Sequence, residues 1–429
     1  MPSEGSRQKA PHTTQKSEDP RHLVDHFFRH ESARVVAVLT RRFGMRHLPL
    51  AEDAVQVALS KALIGWSRHG VPKNPTGWLL QVASNHALDM LRRDSRFDRL
   101  SEEHVPEGGV VESYGELDQV LEDSLLRMIF ACCDPRMPVE SQTAIALKIL
   151  CSFSVREIAK ALVSTEDSVS KRITRAKAKL HELGIDLNAL EKTDVHDRMA
   201  SVQHVIYLLF NEGYSSSLPD RPIRFELCEE AVRLAMILAQ SEMTSGSEAC
   251  AFLALLLFHS VRLDARIDEG GAILLFAEQD LEKWDLKLLK EAFFWFEKAT
   301  AEPILTRYHL EAMIAAEHCR GKMHGRTDWD RVVSGYELLC RIAPSPIHRL
   351  NQAIATAHAG DIERGIELLR SIDIARITGN YYLWHAALGD LLRVKGDGEG
   401  AAAAYRDACR LAPTNAEKEL VCRKLDQLQ

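Results

Sequence analysis

Residues 154–180 read SVREIAKALVSTEDSVSKRITRAKAKL, and their spacing decides the kind of fold this chain adopts. Ser154 with Glu157 three residues later is a reciprocal cap, opening a helix predicted to run through Leu162. Ser164 to Asp167 make a turn, and Ser168 to Leu180 make a second helix. Ile158, Ala159, Leu162, Val169, Ile173, Ala176 and Leu180 supply the core of the pair. Ser168, Ser170, Lys171, Arg172, Arg175 and Lys177 lie on the exposed face of the second helix. Hydroxyls and a long planar donor at the start of a basic helix suit readout of a DNA major groove. A solvated surface helix carries similar charges, and the helix–turn–helix spacing is what separates the two readings.

Upstream, Asn74-Pro75 opens another helix as N-cap and first-turn proline. Trp78, Leu79, Val82, Ala83, His86, Ala87, Met90 and Leu91 form its apolar stripe, with Trp78 assigned to packing. Gln81, Ser84, Asn85, Asp89, Arg92 and Arg93 occupy the opposite face. Before it, AEDAVQVALSKALIGW (51–66) is amphipathic, with Glu52, Asp53 and Gln56 on the polar side. An amide-and-arginine face beside aromatic residues suits phosphate contact and hydrogen bonding to unstacked bases, although a solvated helix face reads the same way.

Between these blocks, residues 94–118 are acidic, glycine-containing and aperiodic, and read as a linker. Fully extended, 94–120 spans roughly 85–95 Å, comparable to about 25 base pairs at about 3.4 Å each. The rest of the chain also reads helical: Ala, Leu, Glu and Arg dominate, and no period-two alternation is sustained. The expected class is all-α. Near the end, a shift of 36 residues superposes Ala353 on Gly389, Gly360-Asp361 on Gly396-Asp397, Gly365 on Ala401 and Leu369 on Tyr405. Gly389, Ala401, Tyr405, Ala408 and Pro413 fall where a tetratricopeptide repeat places small, small, aromatic, small and proline residues. A generic stack of helical hairpins would share the architecture without the family.

The net charge of −7 hides an asymmetry. Residues 21–100 carry 13 Lys/Arg against 7 Asp/Glu, residues 154–180 carry 7 against 3, and the remainder from His181 sums to about −10. A basic front and an acidic back point to nucleic acid at the front alone. The longest apolar run, Ala251–Phe258, is too short to span a bilayer, so no membrane partner is expected. Nine cysteines without CxxC spacing fit a reducing cytoplasm rather than a disulfide framework or zinc ribbon.

PTGWLLQVASNHALDMLRRDSRF resembles the −10-capturing region of extracytoplasmic-function sigma factors, and AEDAVQVALSKAL resembles the preceding helix, which docks on the RNA polymerase clamp. Residues 154–180 resemble sigma region 4, whose second helix reads the −35 element, although Val163 stands where most relatives have glycine and a remodelled turn is expected. FACCDPRMPVESQTAIALKIL, LLFNEGYSSSLPDRPIRFELCEEAVRLA and LLLFHSVRLDARIDEGGAILLFAEQDLEKWD resemble a subgroup with a long C-terminal tetratricopeptide-like domain. The resemblance runs from about His22 to Leu425. It implies polymerase contact by Asp53 and Gln56, −10 contact by Asn85, Asp89, Arg92 and Arg93, and −35 contact by the basic helix. The implied order is a disordered tail (1–20), region 2 (21–98), linker (99–118), region 4 (119–182) and a regulatory helical-repeat domain (183–429). Core RNA polymerase and promoter DNA are the implied partners, with an intramolecular or protein partner at the rear domain. That domain would either mask the −35 helix or supply a surface the active protein requires.

Other patterns carry less. His22, His26 and His30 recur every four residues without a carboxylate–histidine motif, and adjacent Cys132-Cys133 point about 100° apart on a helix; packing is favoured for both sets and no metal is expected. Asn211-Glu212-Gly213-Tyr214 with Asp220-Arg221 is either a ligand patch or a buried hydrogen-bonded corner. No phosphate loop, zinc-protease motif or nucleophile elbow is present, so neither enzyme nor cofactor is expected. The competing functions are a helix-turn-helix regulator with a ligand-sensing repeat domain, which leaves the tryptophan-bearing front helix unexplained, and a protein-binding scaffold, which leaves the basic helix unexplained.

Overall fold

A computed structural model describes residues 20–93, 114–162, 164–216, 221–268, 270–373, 381–412 and 415–428. Among them the fold is all-α, the one β feature being an isolated bridge between Ile267 and Ile273. Helices α1 (Pro20–Phe43), α2 (Leu48–His69) and α3 (Pro75–Arg93) make the first module. Asn74 caps α3 through Gly77 N at 2.7 Å, and Trp66 of α2 meets Trp78 of α3 edge-to-face at 5.5 Å. Ser84, expected on the polar face, is buried, and Met90, expected in the apolar stripe, is 43% exposed. A serine fits where α3 approaches its neighbours, and the methionine lies near the open end of the helix.

The second module holds α4 (Tyr114–Cys132), α5 (Val139–Ile149), α6 (Val155–Ala161) and α7 (Glu166–Leu183). Two boundaries differ from the sequence reading. Helix α4 begins at Tyr114, inside the segment read as linker to 118, and Asp118 near its start is tied to Arg34 of α1 at 2.8 Å. Helix α7 starts two residues early because the Thr165 hydroxyl accepts from Ser168 N, which lets Glu166 and Asp167 enter the first turn, where the helix dipole favours negative charge. The Ser154–Glu157 capping box is present on α6. Val163 and the linker segment 94–113 lie outside the described residues.

The rear half continues through α8 (Lys192–Tyr214), α9 (Phe225–Gln240), α10 (Ser247–Ser260), α11 (Leu286–Ala299) and α12 (Arg307–His324). Helix α10 is apolar on every side and buried from Ala249 to Phe258, as a helix must be when neighbours wrap it completely. It carries the longest apolar run of the sequence. No helix among the described residues is long and apolar enough to cross a membrane. One continuous core runs from Ala33 to Cys319, joining the front modules to this bundle.

Antiparallel hairpins follow: α13 (Trp329–Ile342) with α14 (Pro346–His358), then α15 (Ile362–Arg370), α16 (Tyr382–Lys395), α17 (Gly398–Leu411) and α18 (Asn415–Asp426). The 36-residue shift is structural. Gly360 and Gly396 both take positive φ, of 109° and 92°, and the aspartates after them cap α15 and α17. A Cβ on Gly389 would come within 2.6 Å of the Tyr405 ring, so only glycine lets α16 and α17 close on each other. Pro413 lies outside the described residues.

Candidate polymerase and nucleic-acid interfaces

Asn85, Asp89, Arg92 and Arg93 are all exposed on the second half of α3, and the first three recur at helical spacing on one face. Gln81 donates to Asn85 Oδ1 at 3.2 Å, and Asp89 lies 3.9 Å from Arg92. Both contacts are solvent-exposed, so they hold the side chains only weakly and leave the guanidinium groups available. On α2, Asp53 and Gln56 are exposed and three residues apart. Leu63, Ile64 and Val71 at the far end of α2 and the following loop are 55%, 61% and 65% exposed, an apolar patch that the stripe pattern did not reveal.

On α7, Ser170, Lys171 and Arg175 are exposed, while Ser168, Arg172 and Lys177 are half-buried. Lys171 is held by Asp167 at 2.7 Å. Lys177 points elsewhere: its Nζ donates to Glu52 Oε2 of α2 at 2.6 Å. The expected DNA helix therefore sits against the expected polymerase helix. Gln56 and Glu52 also line a small crevice shared with Lys148 and Ser152 of the second module, and Ser152 holds a left-handed backbone (φ 50°) uncommon for a non-glycine residue. Further ties link α1 to α4: Arg41 to Asp123 at 2.6 Å and Arg34 to Asp118. These long-range pairs have no local signature in the sequence.

The rear bundle grips α4 and α6. The buried Asp134 carboxylate is paired with Arg136 at 2.7 Å and with Arg198 of α8 at 2.9 Å, and Arg198 also donates to Phe130 O at 3.1 Å. Burial pushes the Asp134 carboxyl up, but hydrogen bonds from Arg136 and the charge of Arg198 outweigh it and hold the group below the usual carboxylate range. Arg224, almost wholly buried, pairs with Glu157 of the α6 capping box at 2.9 Å. The Asn211–Tyr214 segment is a corner joining α8 to α9: Arg224 N donates to Gly213 O, and a Cβ on Gly213 would collide with Cys228 N at 2.8 Å. Asp220 lies outside the described residues. Burial pushes the Cys132 thiol well up and that of Cys133 up to about 12, leaving both as packing groups at neutral pH. Among the described residues no three His, Cys, Asp or Glu side chains converge as metal ligands, and the side chains of His22, His26 and His30 lie outside that set.

A family model described as sigma-70 region 2 matches residues 27–97, which hold most of α1 and all of α2 and α3. The first module is therefore of the class that engages core RNA polymerase in transcription initiation. A second model, a family of unknown function (DUF6596), matches residues 198–300 in the rear bundle. An uncharacterized protein of Rhizobium meliloti (strain 1021) is similar along nearly the whole length, 34% identical over 388 residues, covering 89% of this chain and 91% of the relative. The chain belongs to the sigma-70 family of sigma factors.

Proposed function

We propose that the protein is an extracytoplasmic-function sigma factor of the subgroup with a C-terminal tetratricopeptide-like domain, and that it directs promoter-specific initiation from the cytoplasm. In this reading region 2 (21–98) binds core polymerase through Asp53 and Gln56. It reads the melted −10 element through Asn85, Asp89, Arg92 and Arg93. Region 4 (119–182) reads the −35 element through Ser168, Ser170, Lys171, Arg172, Arg175 and Lys177. The helical-repeat domain (183–429) modulates activity. The observation that carries the reading is one chain with two polar helix faces of different chemistry, amides and arginines exposed on α3 and hydroxyls and cations, partly exposed, on α7.

The contact between Lys177 and Glu52 adds a step. Two promoter elements some 25 base pairs apart lie about 85 Å from each other along a duplex. With α7 against α2, both reading helices sit within one compact body, and they cannot reach both elements together. The arrangement described is thus the state off polymerase, and loading separates α1–α3 from α4–α7. In keeping with this division, the rear bundle docks on α4 and α6 while Ser170, Lys171 and Arg175 stay exposed, which favours bracing of region 4 by the rear domain over masking. The test is in vitro transcription with purified protein and sigma-free core polymerase. Promoter-specific initiation is expected; duplex binding without core-dependent initiation would favour a helix-turn-helix regulator instead.

A further inference from the structure

The seam between the rear bundle and the first repeat hairpin encloses a chamber of about 480 Å³, within the usual size range for small-molecule sites. It adjoins an outer vestibule of about 1060 Å³, with which it shares Phe276, Thr327, Trp329 and His358. Its walls come from α10, α12, α13 and α14 and from the connection before α11.

Two features narrow what could occupy it. First, the basic groups converge. Arg262, His259, His318 and His358 line the chamber, and no carboxylate does among the described residues. The Arg262 guanidinium is wedged over the Tyr214 ring at 5.4 Å and the Phe276 ring at 5.2 Å. Its Nη1 donates to Gln279 Oε1 at 3.2 Å, and the other donors have no protein acceptor among the described residues. A guanidinium fork held rigid with donors to spare matches a carboxylate. Second, the remaining walls are flat and aromatic. Trp329 stacks on His358 at 4.4 Å with planes 12° apart, and Phe276 meets His318 at 6.0 Å. Burial and the nearby Arg262 push the His259 imidazole down to about 3 and that of His318 to about 4, so both rings are neutral at pH 7 and can accept or donate single hydrogen bonds without adding charge.

We infer that this chamber binds a small planar organic anion, an aromatic or heteroaromatic carboxylate, with the carboxylate on Arg262 and the ring against Trp329 and Phe276. Because the walls belong to both the rear bundle and the first hairpin, an occupant would bridge the two. The use of such a bridge in controlling transcription rests on the sigma-factor reading, whereas the binding does not.

Titration calorimetry on the full-length protein tests it, with 2-naphthoate as probe and 2-naphthamide as its neutral counterpart of the same shape. The acid is expected to bind at least tenfold more tightly than the amide. Arg262→Met should cut that preference below threefold, and Arg262→Lys, which keeps the charge but loses the fork, should fall between. Equal affinities for acid and amide, or no heat from either at millimolar concentration, would overturn the proposal. The acid-to-amide ratio of the wild type decides the matter even if the Met variant does not fold.

Discussion

Asp134 and Glu311 are two carboxyls on which burial has opposite outcomes. Asp134 has no exposed side-chain surface, and two arginines compensate it. Removing one partner of a buried pair strands the other, so Asp134→Ala should destabilise by about 3–5 kcal/mol, read as a fall in the urea midpoint. A loss below 1 kcal/mol would mean that water reaches Arg198. The folded carboxyl ionises below its ordinary 3.8, so its contribution holds above that pH and is lost only as pH drops through the lower value. Glu311 runs the other way. Burial, opposed by the charge of Arg307, raises its carboxyl from 4.5 to about 7. The fold favours the protonated form, so that contribution is complete below pH 4.5 and disappears as pH rises through 7. Glu311→Gln should remove a decline of roughly 3 kcal/mol or less between pH 5 and 8. Thermal unfolding at the two pH values checks it: the same decline in the variant would place the titrating group elsewhere.

Helix α7 carries the element-scale expectations. Arg172→Ala should weaken promoter binding by the holoenzyme by about 1–3 kcal/mol, while core-polymerase binding is unchanged; wild-type promoter affinity would remove Arg172 from the DNA face. On α3, the proposed contact with the melted −10 element predicts that replacing Asn85 or Arg92 leaves core binding intact and reduces permanganate reactivity of promoter thymines; loss of core binding instead would assign this face to the polymerase. Glu52→Lys should weaken the off-polymerase arrangement and raise core affinity about two- to fivefold, in keeping with one partly exposed ion pair, and unchanged affinity would show that the α1–α4 contacts alone hold the modules together. The helices themselves were legible in the sequence because caps and stripes are local: Ser154 with Glu157, Asn74 with Pro75, and the Gly-Asp pairs at 360 and 396 each specify a turn within a few residues. What lay beyond reach was pairing across the chain. Nothing near Lys177 announces Glu52, 125 positions earlier, and nothing near Glu157 announces Arg224. For the same reason Ser84 and Met90 exchanged their expected environments, since a residue at the margin of a stripe is assigned by its neighbours in space.

For the whole molecule, the shared core from Ala33 to Cys319 sets what can be removed. A chain ending near Ile185 would lack Arg198 and Arg224 and would expose Phe130 and Phe153, both completely buried. It should aggregate or unfold without a sharp transition, and its transcription activity should be lost with it. A soluble, cooperatively folded and fully active truncation would refute any structural role for the rear domain. The separate core of α14–α18 makes a chain ending near Asn380 a milder case, in which the early modules keep their partners and only the last repeats unravel.

That continuous core also bears on the order in which the protein is made. Helices α4 and α6 leave the ribosome well before the bundle that covers them. At about 5–20 residues per second, the stretch from Gly184 to Gln240, which completes α8 and α9, takes roughly 3–11 seconds to appear. Until then Phe130, Phe153 and the Asp134 carboxylate have no partners from α8 and α9. A front half whose interior is finished only by helices made after it completes its folding late, and a chain broken off before α8 lacks those partners. Translation thus acts as a check on completeness: a chain ending before Gln240 lacks part of the bundle that buries these groups and is expected to behave as unfolded protein.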